Sequence, residues 1–483
     1  MPIQGQRDYK HAHIGDILNR ADELVGMTVQ QLISAEHSSF APWKSLNELR
    51  GLTKFNRGTG TVGHAVEELV FGMEPDNKQE ADFAGVGVEL KTTGLKKLGQ
   101  KSKKRRGDAG SLVAKERLTL GMIDYMLVVN ENWAGSSVVK KCSSLLILFY
   151  LYEKDVHSFD LEFKGRTYIS DFLIDLPQQY ITQIEADWRK IIAKIKRGEA
   201  HNLGSGDTSY LEASRKGSSL SPDRHQPFSD KKAPSRAFSL KANFVDELFR
   251  LSEEEFQYES SLKPKQTIEG FVDEKLSQII GMSGEEIAQM QGKAFNQNNK
   301  SRWRQLVEGQ LAGDKKFSHL RELPLSFTEL RVLNFEHDLA LRESISFPAF
   351  DYFEVAESPW EDSSFFELLS SKRFLFAFFQ KKKGDDLENL VANFIGWQFW
   401  TFPAHLLDEA KGVYEETQRR ILKGHYKFPG ISDSNYCHVR PHARNAADLV
   451  NAPNGTRQKK YSFWLNAGFI ANELLGGSNN ESN

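Results

Sequence analysis

The chain has 483 residues, 39% apolar and 27% charged, which suits a globular protein but is too long for one ordinary core, so two or three domains are expected. Its 63 basic residues are offset by 65 acidic ones, which argues against a protein that coats nucleic acid by bulk charge and leaves room for a local basic groove. Cys142 and Cys437 fall at no metal-ligand spacing and suggest no disulfide framework; no apolar stretch is long enough to cross a bilayer, and the first residues lack the apolar core of a secretion signal, so a cytoplasmic location is expected.

Along the chain, Gly58, Gly60 and Gly63 spell GxGxxG in GTGTVG, a dinucleotide-loop pattern. The preceding LTKFNR is too polar for a central parallel strand, and regular βαβ alternation does not follow, so this reading ranks well behind. VGHAVEELVF reads as an amphipathic helix with Val62, Val66, Leu69 and Val70 on one stripe. Glu67 borders that stripe and is favoured as a site acid over Glu68, which points further towards solvent. In DFAGVGVELKT, Val86, Val88 and Leu90 alternate with Gly87, Glu89 and Lys91, which predicts a strand with one buried face. Glu89 and Lys91 then project together, and Asp82 reaches them from a neighbouring strand or turn before Gly85.

Two carboxylates beside an ammonium suit phosphodiester hydrolysis. The acids hold Mg²⁺, a hard cation that prefers oxygen ligands, while the lysine orients or activates the attacking water. A Glu-x-Lys pair alone is more often a solvated ion pair, so the rest of the chain must decide. After it come a basic run (Lys96, Lys97, Lys101, Lys103, Lys104, Arg105 and Arg106), a buried strand over Leu145 to Tyr152, and a long helix ending at Gly198. Polar loops are expected from Gly204 to Lys232, a polar linker over 251–266, and a disordered tail in GGSNNESN.

Internal repetition is the most informative feature. KERLTLGMIDYMLVVNENWAGSS, from Lys115, parallels RESISFPAFDYFEVAESPWEDSS, from Arg342, and an apolar strand and a long helix follow each. SRAFSLKANFVDELF, from Ser235, then parallels KYSFWLNAGFIANEL, from Lys460. A duplication is the reading, with halves at 1–250 and 267–483. Glu67, Asp82, Glu89 and Lys91 fall on Glu308, Glu322, Glu329 and Arg331, and Lys141 falls on Leu368. The second half therefore keeps the acids and loses the lysines, which arginine does not replace cleanly. The offset moves from 240 to 227 between Lys91 and Lys115, so the first half carries about thirteen more residues there, including the basic run. That run is read as a phosphate clamp.

VGHAVEELVFG, DFAGVGVELKT and WAGSSVVKK together resemble the MutH-like branch of the PD-(D/E)xK nucleases. The two-copy layout resembles the GATC-cutting type II restriction enzymes of that branch, the Sau-three-AI type, with TSYLEASRKG, QPFSD, RAFSLK and the late CHVRP extending the likeness. The resemblance implies an α+β chain of two tandem restriction-endonuclease-fold domains, each a mixed sheet flanked by helices. It places the metal-site acids on Glu67, Asp82 and Glu89 and the active-site lysines on Lys91 and Lys141, with Glu68 as the alternative to Glu67. Its Arg-Pro recognition loop falls on Arg440 and Pro441, with His442 where repair members carry lysine and Glu212 opposite Arg440 in the first half. Arg215 and Lys216 join Lys103, Lys104, Arg105 and Arg106 as expected DNA contacts. The implied activity is Mg²⁺-dependent cleavage at or near GATC, on two copies of double-stranded DNA, with a DNA-induced homodimer and a companion DNA methyltransferase. A repair enzyme that nicks one strand and a non-cutting DNA-binding protein are the alternatives.

Overall fold

The structure is a computed structural model that describes residues 9–36, 60–73, 80–98, 110–217, 221–251, 260–313, 320, 322–382 and 392–476. Gly58, Lys101, Lys103, Lys104, Arg105, Arg106, residues 252–259 of the expected linker and the C-terminal tail lie outside the described residues. The chain divides into two compact units. Met1–His201, Thr208–Thr267 and Pro324–Ser326 form the first; Asn202–Asp207, Ile268–Leu323 and Phe327–Asn483 form the second.

Among the described residues the first unit has strands β1 (Glu89–Lys97), β2 (Leu112–Ala114), β3 (Leu118–Met122), β4 (Leu145–Leu151), β5 (Phe163–Ile169), β6 (Leu211–Arg215), β7 (Arg224–Gln226), β8 (Ser229–Ala233) and β9 (Arg236–Leu240). One sheet runs β2-β1-β4-β5, with β1 and β4 parallel and the outer pairs antiparallel. All seven residues of β4 are buried, because this strand is paired on both edges and covered on both faces, and the sequence is apolar at every step. A second sheet runs β3-β9-β6, and β7 and β8 form a hairpin between β6 and β9 in the chain.

The expected polar loops over 204–232 are therefore corrected: three strands lie there. They escape a periodicity search because β6 is held by long-range pairing with β9, Leu211 to Leu240 through Arg215 to Arg236. The strand read from Val86 is also shortened. It begins at Glu89, and residues 84–87 form a turn closed by Gly87 (φ +69°), which leaves Val86 exposed.

The helix Gln178–Lys196 crosses beneath β6, and the buried Asp187 ties them together. Its two carboxylate oxygens accept the backbone N–H groups of Ser209, Tyr210 and Leu211 at 2.6–3.0 Å, and Gln183 donates at 3.1 Å. The helix ends at Gly198 (φ +73°), whose N–H bonds to the Ile195 carbonyl; a Cβ there would stand 2.5 Å from the Phe228 carbonyl oxygen.

The second unit has β10 (Thr328–Phe335), β11 (Ile345–Ser346), β12 (Arg373–Lys381), β13 (Ala392–Thr401), β14 (Cys437–Pro441), β15 (Leu449–Asn451), β16 (Arg457–Lys459) and β17 (Tyr461–Leu465) among its described residues. β10 lies parallel to β12, which pairs antiparallel with β13, the order seen for β1, β4 and β5. β17 sits between β11 and β14 as β9 sits between β3 and β6, and β15–β16 is again a hairpin before the central strand. The helix Leu407–Leu422 is followed by Gly424 (φ +70°), bonded to the Ile421 carbonyl. No helix among the described residues is long and apolar enough to cross a membrane.

Candidate active site

The site is built at the start of the parallel pair β1 and β4. Glu89, the first residue of β1, is 3% exposed, and its N–H bonds to the Ser144 carbonyl just ahead of β4. Two residues on, the side chain of Lys91 returns to the same point, its Nζ donating to Glu89 Oε1 at 2.5 Å. Lys141 arrives from the short helix Ser137–Cys142, capped by the buried Ser136, and its Nζ lies 3.3 Å from the same oxygen. Glu89 Oε2 is buried with no hydrogen-bond partner among the described residues.

Asp82 comes from the turn, folded back so that its Oδ2 accepts the Leu90 N–H at 2.8 Å. Burial, and then the negative charge of Glu89, push its carboxyl above the usual carboxylate range, against the opposing pull of Lys91, the Leu90 N–H and Lys141. The structure thus brings Asp82, Glu89, Lys91 and Lys141 together.

Glu67 comes from a different element, the helix ahead of β1. The predicted helix is α-helical over Thr61–Ala65 and π-helical over Val66–Val70, with the Phe71 N–H bonded to the Val66 carbonyl at 3.1 Å. Val62, Val66, Leu69 and Val70 are buried, and Glu67 and Glu68 are both half-buried. A Cβ built on Gly63 would stand 3.4 Å from Thr92 Oγ1 of β1 and 3.9 Å from Glu67 Oε1, so the Glu67 carboxylate lies beside β1. Among the described residues no three acids, histidines or cysteines are grouped as a ready-made metal cage. Cys142 is buried, and burial pushes its thiol up to about 12, which removes it as a nucleophile near neutral pH.

Glu89, Lys91 and Lys141 face an open cleft of about 540 Å³ whose lining also includes Arg117, Arg215 and Lys216. Arg215 and Lys216, expected as DNA contacts, thus share a cleft with the acids and lysines. Lys216 donates to Thr119 Oγ1 at 2.6 Å. The sequence reading missed Arg117; it lay in the repeated KER segment, but nothing about one arginine before a strand marks it.

The second unit closes its corresponding position. Glu329 of β10 takes Arg331 on one oxygen at 2.7 Å and Lys372 on the other. Lys372 corrects the expectation that this half lost its lysines: it comes from the end of the helix Ser364–Ser371, four residues after Leu368. Glu308, which the sequence repeat aligns with Glu67, pairs with Arg304 one turn back on its own helix. Arg440 and Pro441 are exposed at the end of β14, His442 follows, and the Arg440 guanidinium lies 5.1 Å from the centre of the Trp464 ring. His438 is buried, and burial lowers its pKa, so it is a neutral core side chain.

Strand register also corrects the alignment of Arg440 with Glu212. Leu211 faces Leu240 at the end of β9, and Cys437 faces Leu465 at the end of β17. Counting from those pairs, Arg440 corresponds to Ser214, while Glu212 corresponds to His438; Arg215 and Lys216 stand at the places of Pro441 and His442. A slip of two residues preserves the face, so pattern alone could not reveal it.

Residues 71–187, which carry Asp82, Glu89, Lys91 and Lys141, match the family model of the DNA mismatch repair enzyme MutH. The chain is 30% identical to the type II restriction enzyme Sau3AI of Staphylococcus aureus over 459 residues, spanning 88% of this chain and 90% of that protein. With the site geometry set at the start of one parallel strand pair and the likeness running through both units, the chain belongs to the MutH-like, Sau3AI-type family of site-specific restriction endonucleases.

Proposed function

We propose that the first unit hydrolyses DNA phosphodiesters at GATC with Mg²⁺, and that the second is a degenerate tandem copy that binds a further DNA segment. The observation that carries the first part is the convergence of Asp82 and Glu89 with two ammonium groups, with Glu89 and both lysines lining a predominantly basic cleft. The donor set fits a hard cation: two crowded carboxylates, one with a raised pKa and one with a buried, unpartnered oxygen, are stabilised together by divalent charge. Asp82 and Glu89 would hold Mg²⁺, with Glu67 as the further acid, and the ion would supply charge stabilisation on the phosphate. Lys91 and Lys141, released from Glu89, would then orient the attacking water and meet the developing negative charge. Cleavage should require a divalent cation and stop in EDTA, and sequencing the ends left on a digested plasmid gives the site and the cut position.

The recurrence of the strand pairings in both units supports the duplication. In the second unit both oxygens of Glu329 are held by fixed cations, which favours a copy without catalysis. A single catalytic site cuts one strand per engagement, so double-strand breakage calls for two chains or two nicks. If the second unit holds its own recognition sequence, two-site plasmids are cut faster per site than one-site plasmids, by a coupling of about 1–3 kcal/mol. Arg440→Ala should erase most of that difference. Equal per-site rates for all four combinations of enzyme and plasmid would leave the second unit without an effector role. A DNA-induced pairing of chains and a companion methyltransferase acting on the same sequence belong to this reading.

The basic run gives a separate expectation. Replacing Lys101, Lys103, Lys104, Arg105 and Arg106 with neutral residues should lower the log–log salt slope of DNA binding by about 0.9 for each phosphate that the run neutralises. An unchanged slope would mean that the run touches no phosphate.

A further inference from the structure

One cation of the cleft lining belongs to an ion pair of unequal partners. Arg117, just ahead of β3, keeps 42% of its side chain exposed and lines the cleft, while Glu212, on β6, is only 2% exposed. Their charged atoms lie 2.8 Å apart. β3 and β6 flank β9, and Thr119 and Glu212 both face Ser239 across the sheet, so the pair links the two outer strands of one sheet. A buried carboxylate gripping a half-exposed guanidinium fixes the cation's position while leaving donors free for a second anion.

The surroundings select that anion. Lys216 is tethered to Thr119 Oγ1 beside Arg117, and Arg215 lies on the same lining. Like charges held this close repel one another, and burial followed by Arg117 pushes the Lys216 ammonium below its ordinary pKa. Glu116 and Glu212 oppose that shift, yet on this lining five cations (Lys91, Arg117, Lys141, Arg215 and Lys216) face two acids (Glu89 and Glu116), an excess that favours a polyanion. We propose that Arg117 contacts a phosphate of the bound duplex, and that Glu212 is the positioning residue that holds Arg117 in place for it. The proposal rests on the reading of this cleft as the DNA-cutting site.

The test uses the full-length protein and a short duplex with one GATC sequence, titrated in EDTA at several salt concentrations, with cleavage in Mg²⁺ measured in parallel. Arg117→Ala should weaken binding by roughly ten- to a hundredfold and lower the salt slope by about 0.9. Glu212→Gln is the sharper variant. It removes a negative charge, so simple electrostatics makes binding tighter, whereas loss of positioning makes it weaker and raises KM more than it lowers kcat. Arg117→Ala combined with Glu212→Gln should bind no worse than Arg117→Ala alone, since both act through one phosphate. That double variant also removes the buried charge that Arg117→Ala leaves behind. An unchanged salt slope in folded Arg117→Ala protein, or tighter binding by folded Glu212→Gln protein, overturns the proposal. If the pair serves only to join β3 to β6, the variants lower Tm but leave the slope alone, which also overturns it. Lys91→Ala separates the two readings: normal cleavage by that variant removes the active-site assignment itself, whereas its inactivity beside a normal Arg117→Ala enzyme rejects only the clamp.

Discussion

Glu89→Ala should lower the cleavage rate by about three orders of magnitude or more, and Asp82→Ala and Lys91→Ala should do nearly the same. Glu89 is where the others meet: Lys91 and Lys141 share its Oε1, and its negative charge helps raise the Asp82 carboxyl. Removing it takes away a proposed metal ligand and leaves two ammonium groups without the acid they share. The three losses should not add, because these residues form one unit. Glu329→Ala provides the comparison. That carboxylate, near the start of β10 in the second unit, has both oxygens taken by Arg331 and Lys372, and its removal should leave cleavage of a one-site plasmid near the starting rate. Single-turnover cleavage of such a plasmid in Mg²⁺ measures both. A Glu89→Ala enzyme within tenfold of the parent, with normal folding, would reject the assignment.

Asp187→Ala should destabilise the first unit by about 3–5 kcal/mol, the range for deleting one side of a buried, charged hydrogen-bond set. The carboxylate bonds to three consecutive N–H groups, on Ser209, Tyr210 and Leu211, and alanine leaves them buried with nothing in its place. The consequence is also functional. Those residues lead into β6, at whose far end Arg215 and Lys216 reach the cleft, so loosening the start of the strand should weaken DNA binding even where the protein stays folded. Asp187→Asn keeps one acceptor oxygen and should show the smaller loss. Urea unfolding of the two variants checks the order, and an alanine variant within 1 kcal/mol of the parent would sink the argument.

Much of this was legible in the amino acids, and for identifiable reasons. β4 announced itself as an unbroken apolar run because it is buried on both faces. Glu89 and Lys91 were readable because period-two alternation assigns them to one side of a strand. Gly198 and Gly424 marked helix ends through the positive φ that each adopts. What stayed hidden depended on partners far away in sequence. β6 reads as polar loop because Asp187 and β9 satisfy it. The slip that assigned Arg440 to Glu212 instead of Ser214 preserved the face and so left no trace in the pattern. Lys372 and Arg117 join their acids only after strands and helices have packed, and neither stands at a spacing that periodicity would flag.

The π-helical turn at Val66–Val70 bears on how this site can change. A substitution alters what a side chain is, but in a helix the direction it takes is set by how many residues precede it. Each residue turns the helix by about 100°, so dropping one residue from a π turn, and with it the wider i to i+5 bond, swings the preceding segment by that amount. Here Glu67 lies beside Thr92 and Glu68 follows it immediately. Exchanging the acid offered to β1 therefore calls for a one-residue insertion or deletion rather than a point change. Relatives whose gap between this acid and Asp82 differs by one residue would then carry different geometry at the same chemistry, and the length of this short segment would be as selectable as the identity of any residue in it.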